Sequence, residues 1–588
     1  MDSKHVTEST SGQEDIQKTW WKEAIIYQIY PRSFQDSDGD GIGDLNGITS
    51  RLDYIQSLGV DIIWLNPIFL SPNDDNGYDI SDYREIMREF GTMEDFDRLL
   101  KEIHKREMRL VLDLVVNHTS DEHPWFEEAR KSRHNPYYNY YHWWPAEKGE
   151  PPLRLSYFDE EGNAWTYNKP TDSYYLHYFS RKQPDLNWEN PEVRQEIFDM
   201  MRFWFDKGID GFRMDSISLI AKDPSFPLID SKKYPDIFPF YAKEPRLHLY
   251  LHEMNRQVLS KYDCMSVGEG SAVMVDDVAK FVDPAREELN MLYHFDAARI
   301  RNTTLPDNPE SGIDYSLIAL KKMFTEWDKA VDKGWPSIYL GNHDQPRMVS
   351  RFGSDKDEFR ALSAKMLITF LLTMRGTPYW FAGDEIGMRN IRFDHIEDYN
   401  DIDTINRYKK AKAEGKDPQA VLDEQKETGR DNARTPFQWD RSPEAGFTAG
   451  TPWLKVNPDY TWINVADEEK DPTSILNYFK KVVSFRKENP SLIYGSYHLL
   501  DAENPQSYTF LRKTGADTYL IMLNFSPKAA ISTPGIDMSN AHVLLDNYGD
   551  RSHMAPQKDI TLRPFEAIVF QLNHPVYESF IDSLDLLE

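Results

Sequence analysis

The sequence predicts an α/β fold: a (β/α)8 TIM barrel with an inserted subdomain after strand 3 and a C-terminal antiparallel β-domain. Three observations lead there. Eight short β-rich runs recur between amphipathic helical stretches. The interval from His118 to Trp188 is far too long for a simple crossover helix. From about residue 497 the pattern changes to the alternation of antiparallel strands.

The eight runs are 24–31, 61–68, 109–118, 208–215, 265–270, 289–295, 337–344 and 377–385. Segments such as ITSRLDYIQSLG, MEDFDRLLKEIHKREM and NPEVRQEIFDMMRFWFDKG lie between them, with apolar residues at helical spacing. Several strands end in charged residues rather than in turn formers alone. In a closed barrel such ends line the active face. Residues 1–19 lack an apolar pattern and read as a disordered lead-in; residues 20–118 form the first part of the barrel. Residues 119–188 read as an inserted domain whose aromatics build its own small core. The barrel resumes over 189–496 and carries a second insertion, rich in charged helical stretches, at about 389–460. A β-sandwich follows at 497–575, and 576–588 is a tail.

The chain has 588 residues, 40% of them hydrophobic, enough for a large core and more than one domain. Its 68 Lys and Arg against 97 Asp and Glu leave a net charge of -29, which repels phosphate backbones and argues against nucleic acid as a partner. The single cysteine, Cys264, rules out an internal disulfide and fits a reducing, cytoplasmic setting. No signal-peptide core stands near residue 1. The longest apolar run, MLITFLLTM at 366–374, is too short to span a bilayer, so no membrane association is expected.

The strand ends carry the chemistry. GFRMD sets Arg213 and Asp215 two apart, on one side of a strand, where the guanidinium can hold the carboxylate ionised. VGEG ends strand five on Glu269, and GNHDQPR follows strand seven with His343 and Asp344. Strand three brings Asp113, Asn117 and His118. One barrel mouth would gather Asp215, Glu269 and Asp344. Such a set suits a metal cluster, or glycoside hydrolysis with two carboxyl groups about 5–5.5 Å apart if configuration is retained. The absence of a paired-His motif such as H-E-x-x-H weighs against the metal.

After strand one, DSDGDGIGD spans Asp36 to Asp44. It matches the start of an EF-hand loop, but the twelfth position is Gly47 and a strand precedes it, so it is no calcium sensor. A bound structural cation and a solvated Asp/Gly turn both remain open on the residues alone.

DLVVNH, GFRMD, VGEG and NHDQPR resemble, in order, the four conserved regions of the α-amylase family of retaining glycoside hydrolases (glycoside hydrolase family 13). SPNDDNGYDISDY, QPDLNW and GRDNARTPFQWD resemble its oligo-1,6-glucosidase and α-glucosidase branch. The resemblance runs from about Trp20 to about Asn573 and implies a small-molecule oligosaccharide substrate, on a monomer or homodimer. It implies Asp215 as nucleophile, Glu269 as general acid/base and Asp344 as the third carboxylate. Asp75, Tyr78, His118, Arg213, His343 and Arg430 match the clamp on the terminal glucose, with Phe179 as a wall and Ser216 beside the next sugar. It also implies structural calcium, or magnesium, held by Asp36, Asp38, Asp40, the Ile42 carbonyl and Asp44.

Two stretches depart from the branch. Ser216 follows the nucleophile, where Val accompanies α-1,6 preference and Thr or Ala accompanies α-1,4 preference. GSAV follows the acid in place of MPGV. Two rival readings exist. A sucrose isomerase or transglucosylase would use the same covalent intermediate, but the segment with Arg299 and Arg301 lacks the RLDRD-like loop of sucrose isomerases. A non-catalytic relative, like the ectodomain of amino-acid transporter heavy chains, would need a membrane helix and commonly loses these carboxylates.

Overall fold

The computed structural model describes residues 18–158, 162–230, 232–234, 236–515, 517–552 and 557–572. The expected lead-in and tail fall almost wholly outside them. Eight parallel strands form the central sheet: β1 (Ile26–Ile29), β2 (Ile62–Leu65), β3 (Arg109–Val115), β4 (Gly211–Asp215), β5 (Met265–Glu269), β6 (Met291–Tyr293), β7 (Ser337–Ile338) and β8 (Thr377–Phe381). Each coincides with one predicted run. The order is β6-β5-β4-β3-β2-β1-β8-β7. The remaining seam, between β7 and β6, is crossed by the Ser337 hydroxyl donating to Leu292 O at 2.9 Å, so the sheet closes into a barrel.

Period-two alternation sorts the strand residues. Ile26, Ile62, Trp64, Val111, Met265, Val267 and Met291 form one cluster inside the barrel. Their neighbours Tyr27, Ile63, Leu65, Leu110, Leu112 and Leu114 face outward, into the larger core shared with the helices. Continuing the inward rows toward the strand ends brings Gln28, Asp113, Arg213, Asp215, Glu269 and Tyr293. The interior is thus apolar at its floor and polar at its mouth. Parallel register sets Asp113 beside Arg213, Arg213 beside Val267, and Glu269 beside Tyr293.

The inserted domain holds a three-stranded antiparallel sheet, with Ser173–Leu176 between Trp143–Pro145 and Trp165–Asn168. Its aromatics do build a core, but not alone. Trp165 and Tyr178 pack against Leu219, Phe226 and Tyr241, which follow β4. The longer helices of the second insertion are Ile402–Ala413 and Pro418–Thr428, started by Asp401 and Asp417 as N-caps. The run expected to be too short for a membrane lies in the helix Arg360–Thr373, buried all round against the helix Ile475–Glu488 and the C-terminal domain. No helix among the described residues is long and apolar enough to cross a membrane.

The C-terminal domain has an antiparallel sheet of five strands: Ser496–Leu500, Ser507–Thr514, Asp517–Asn524, Ala567–Leu572 and His542–Asp546. A two-stranded sheet, Ala530–Ser532 with Ile560–Leu562, completes the sandwich. Leu520 and Met522 face Ile560 and Leu562 within it, while Ile521 and Leu523 join the barrel core.

Candidate active site

Arg213 organises the mouth of the barrel. Its guanidinium donates to Asp113 Oδ1 at 2.7 Å and Asp215 Oδ1 at 2.9 Å, and it also bonds Glu269 Oε2. Its Nε reaches Tyr293 OH at 2.8 Å. The side chains of Arg213 and Asp113 are 1% and 0% exposed, so these charges are satisfied by one another and not by bulk water. Sharing one planar fork holds Asp215 and Glu269 close together, which suits the spacing of roughly 5–5.5 Å that a retaining pair needs.

Burial and the nearby Glu269 charge push the Asp215 carboxyl well above the ordinary aspartate range, and Arg213 opposes them. The Arg213 contact favours the ionised Asp215 that a nucleophile needs.

A second group forms around Arg430. It donates to Asp75 Oδ1 at 3.2 Å, Asp344 Oδ1 at 3.3 Å and Asp401 Oδ1 at 2.7 Å. Arg434 adds a bond of 2.9 Å to Asp344 Oδ1. Burial alone would raise Asp344, but His343, Arg430 and Arg434 hold it well below the usual carboxylate range. Burial pushes Asp75 up to about 6, with Arg430 and Arg434 opposing.

Tyr78 closes the floor. Its hydroxyl lies 2.7 Å from His343 Nε2 and 2.9 Å from Asp113 Oδ2, and its ring stacks on His343 with centroids 5.2 Å apart. Gln28 donates to His343 Nδ1 at 2.8 Å, which leaves Nε2 protonated toward Tyr78 and Asp344. His118 sits 3.0 Å from Tyr78 O and 5.0 Å from the Phe179 ring. Burial lowers its pKa to about 3, so it is a neutral donor. Ser216 takes a left-handed backbone (φ 42°) and starts the short turn Ile217–Leu219. Above Asp344 and Arg430 a cleft of about 710 Å³ opens, lined also by Phe158, Arg299, Asp403, Arg407 and Glu424.

All eleven residues expected at the sugar lie around this mouth. Sequence reasoning missed Tyr293, Gln183, Asp401, Arg434 and Ser271. Tyr293 ends β6 as Glu269 ends β5, and that parallel was a readable signal. Gln183 donates to Asp75 Oδ2 at 3.3 Å and is the first residue of QPDLNW. Nothing local marks Asp401, whose partners Arg430 and Arg434 stand about thirty residues away in sequence.

The metal-loop residues are partly gathered. Ligand oxygens of Asp36, Asp38 and Asp40 lie within 4.8 Å of one another. Asp44, outside that group of three, caps the helix Leu45–Ser50, accepting from Gly47 N at 2.7 Å and Ser37 N at 2.7 Å, and its charge still acts on Asp40.

Comparison with known proteins agrees with this geometry. Residues 28–495 match the family model "Alpha amylase, catalytic domain". The oligo-1,6-glucosidase of Parageobacillus thermoglucosidasius is 51% identical over 571 residues, covering 95% of this chain and 100% of that protein. The trehalose-6-phosphate hydrolase of Bacillus subtilis is 43% identical over 95% of this chain and 99% of that one. Among solved structures, the trehalulose synthase MutB from Pseudomonas mesoacidophila superposes with a TM-score of 0.89 at 43% identity, covering 94% of this chain and 99% of that one. With the barrel, the two insertions and the ring of carboxylates at the strand ends, these matches place the chain in the α-amylase family of glycoside hydrolases.

Proposed function

We propose that this protein is an exo-acting α-glucosidase that releases glucose from the non-reducing end of short α-glucosides with retention of configuration. The observation that carries the reading is Arg213 joined at once to Asp215 and Glu269, beside a pocket closed by Asp75, Asp344 and Arg430. A terminal sugar offers hydroxyls to carboxylates and guanidinium forks, and an apolar ring face to Tyr78.

In this mechanism Asp344 and Arg430 grip the hydroxyls of the terminal glucose, with Asp75 and His118 at its far end. Asp215 attacks the anomeric carbon as protonated Glu269 gives its proton to the leaving oxygen, and the glycosidic bond breaks. Glu269, now ionised, takes a proton from water. That water attacks the anomeric carbon, the bond to Asp215 breaks and Asp215 leaves as a carboxylate, and α-glucose departs.

The relatives include proteins named oligo-1,6-glucosidase, which supports activity on isomaltose-type substrates. Ser216 adds maltose-type substrates to the reading, since it presents less bulk than Val at the acceptor sugar. Sucrose isomerisation is the second reading, favoured by likeness to a trehalulose synthase solved with sucrose. Against it, Arg299 and Arg301 both line the cleft, but Arg301 is tied to Asp314 at 2.7 Å and to Arg351 O at 2.6 Å. Chromatography of products from maltose, isomaltose and sucrose decides. Glucose from the first two supports hydrolysis; a rearranged disaccharide as the main product from sucrose would favour the isomerase.

A structural cation also belongs to the proposal. Burial and the charges of Asp38, Asp36 and Asp44 push the Asp40 carboxyl upward, a repulsion that a cation relieves. Asp36, Asp38, Asp40, the Ile42 carbonyl and Asp44 would hold calcium, or magnesium. Asp36 also bonds Thr448, so the ion would brace the loop after β1 against the segment after β8. A cytoplasmic location, which the lone Cys264 supports, and a monomer or homodimer complete the reading.

A further inference from the structure

The two oxygens of Glu269 meet different neighbours. Oε2 accepts from Arg213 and from Tyr293 OH at 3.2 Å. Tyr293 OH itself accepts from Arg213 Nε, which turns its hydrogen toward Glu269. Oε2 therefore faces donors. Oε1 faces the hydroxyl of Ser271, at 2.5 Å. A hydroxyl can donate to a carboxylate and, after rotating, accept from a carboxylic acid. The proton of neutral Glu269 thus has a favourable place only on Oε1.

Ser271 is held for this contact. It lies in the turn Gly270–Val273, closed by Val273 N donating to Gly270 O at 3.1 Å. Ala272 in that turn has φ 64°, a left-handed conformation that a side chain adopts at some strain. A Cβ on Gly270 would meet Leu292 Cδ2 at 2.8 Å and Tyr293 O at 2.9 Å, so the turn seats tightly on β6. The Ser218 hydroxyl, two residues beyond Ser216, donates to Ser271 O at 2.6 Å. The turn after the acid is therefore tied to the turn after the nucleophile.

We propose that Ser271 is a positioning residue for Glu269: its hydroxyl keeps the acid proton on Oε1 and lowers the carboxyl's affinity for it, and so sets the alkaline limit of activity. The inference rests on the reading of Glu269 as the acid/base. The other groups facing Glu269 are Arg213 and Asp215 from β4, Tyr293 from β6, Tyr157 from the inserted domain and Tyr339 after β7. A change at Ser271 leaves all of them in place, so a difference between variants isolates the hydroxyl.

The sign follows from the donor. Losing it destabilises ionised Glu269, raises its pKa, and keeps the acid protonated to higher pH. The test is the pH dependence of kcat/KM on the faster of maltose and isomaltose, for the wild type, Ser271→Ala, Ser271→Gly and Ser271→Thr. The alkaline limb is expected to rise by about one pH unit in the Ala and Gly variants and to return in the Thr variant, with Tm unchanged. An alkaline limb that is unmoved or lowered in folded Ala and Gly variants would overturn the role of Ser271. Glu269→Gln separates the two readings. Wild-type turnover in that variant would remove Glu269 as the acid, whereas an inactive Gln variant beside an unmoved limb removes only the role of Ser271.

Discussion

Replacing Arg213 with methionine tests how the site is poised. The guanidinium serves Asp113, Asp215, Glu269 and Tyr293 in a place without bulk water. Methionine keeps an unbranched stem and removes the guanidinium with its charge. An opposite charge at this range lowers an aspartate by about 1–3 pK units, so its loss raises Asp215 by that amount. The nucleophile must be ionised, and the acid limb of kcat/KM therefore moves up by about 1–3 pH units. At a pH on that limb, ionisation alone lowers the rate by roughly tenfold per unit. Breaking one buried pair costs about 3–5 kcal/mol. Asp113 and Asp215 have folded-state pKa values above their unfolded ones, so they favour the unfolded chain increasingly as pH rises. The stability deficit is therefore wider near pH 8 than near pH 5. Arg213→Lys, which keeps the charge without the fork, falls between. The assay is the pH profile of kcat/KM together with urea unfolding at both pH values. An acid limb at the wild-type position, or an equal deficit at both pH values, would refute this account of Arg213.

Three further outcomes are expected. Ser216→Val moves the ratio of kcat/KM toward isomaltose over maltose by at most tens-fold, since one contact is worth about 1–3 kcal/mol; an unchanged ratio in a protein of normal Tm places linkage choice elsewhere, and the Tm matters because Ser216 is left-handed and a β-branched residue is strained there. Chelation lowers Tm more than it lowers turnover at a temperature where the protein stays folded, because no residue of the Asp36–Asp44 loop lies at the sugar pocket; loss of activity without unfolding would contradict a bracing role. KM rises as pH falls below about 6, where Asp75 gains its proton and loses the charge that strengthens its hydrogen bonds from sugar hydroxyls; Asp75→Asn should have a high KM that no longer varies there.

Much of this molecule was legible in its sequence, for reasons that differ by element. The eight strands stand out because barrel strands are short, apolar and bounded by helical periodicity. β7 is the exception in length: expected over 337–344, it keeps a ladder only at Ser337–Ile338, since the residues beyond turn to the site, with His343 toward Gln28 and Tyr78. Asp215 and Arg213 could be paired from their spacing on one strand. Arg430 with Asp75 and Asp401 could not, because Asp75 after β2 and the insertion after β8 meet only once the barrel closes. The inserted domain announced itself by its length, but its share of residues after β4 did not, because Phe226 and Tyr241 sit in a segment of no clear period. Ser271 looked like a departure from a motif, and its hydroxyl acquires meaning only beside Glu269 Oε1.

The central claim is a covalent bond between glucose and Asp215, and trapping that bond tests it most directly. A fluorinated glucosyl fluoride that forms the ester quickly and loses it slowly should inactivate the protein in a time-dependent way. Digestion and peptide mass analysis should then find one glucosyl adduct, on the peptide carrying Gly211–Asp215, and none in folded Asp215→Asn. A label on another residue, or rapid turnover of ordinary substrates by the Asn variant, would contradict the assignment.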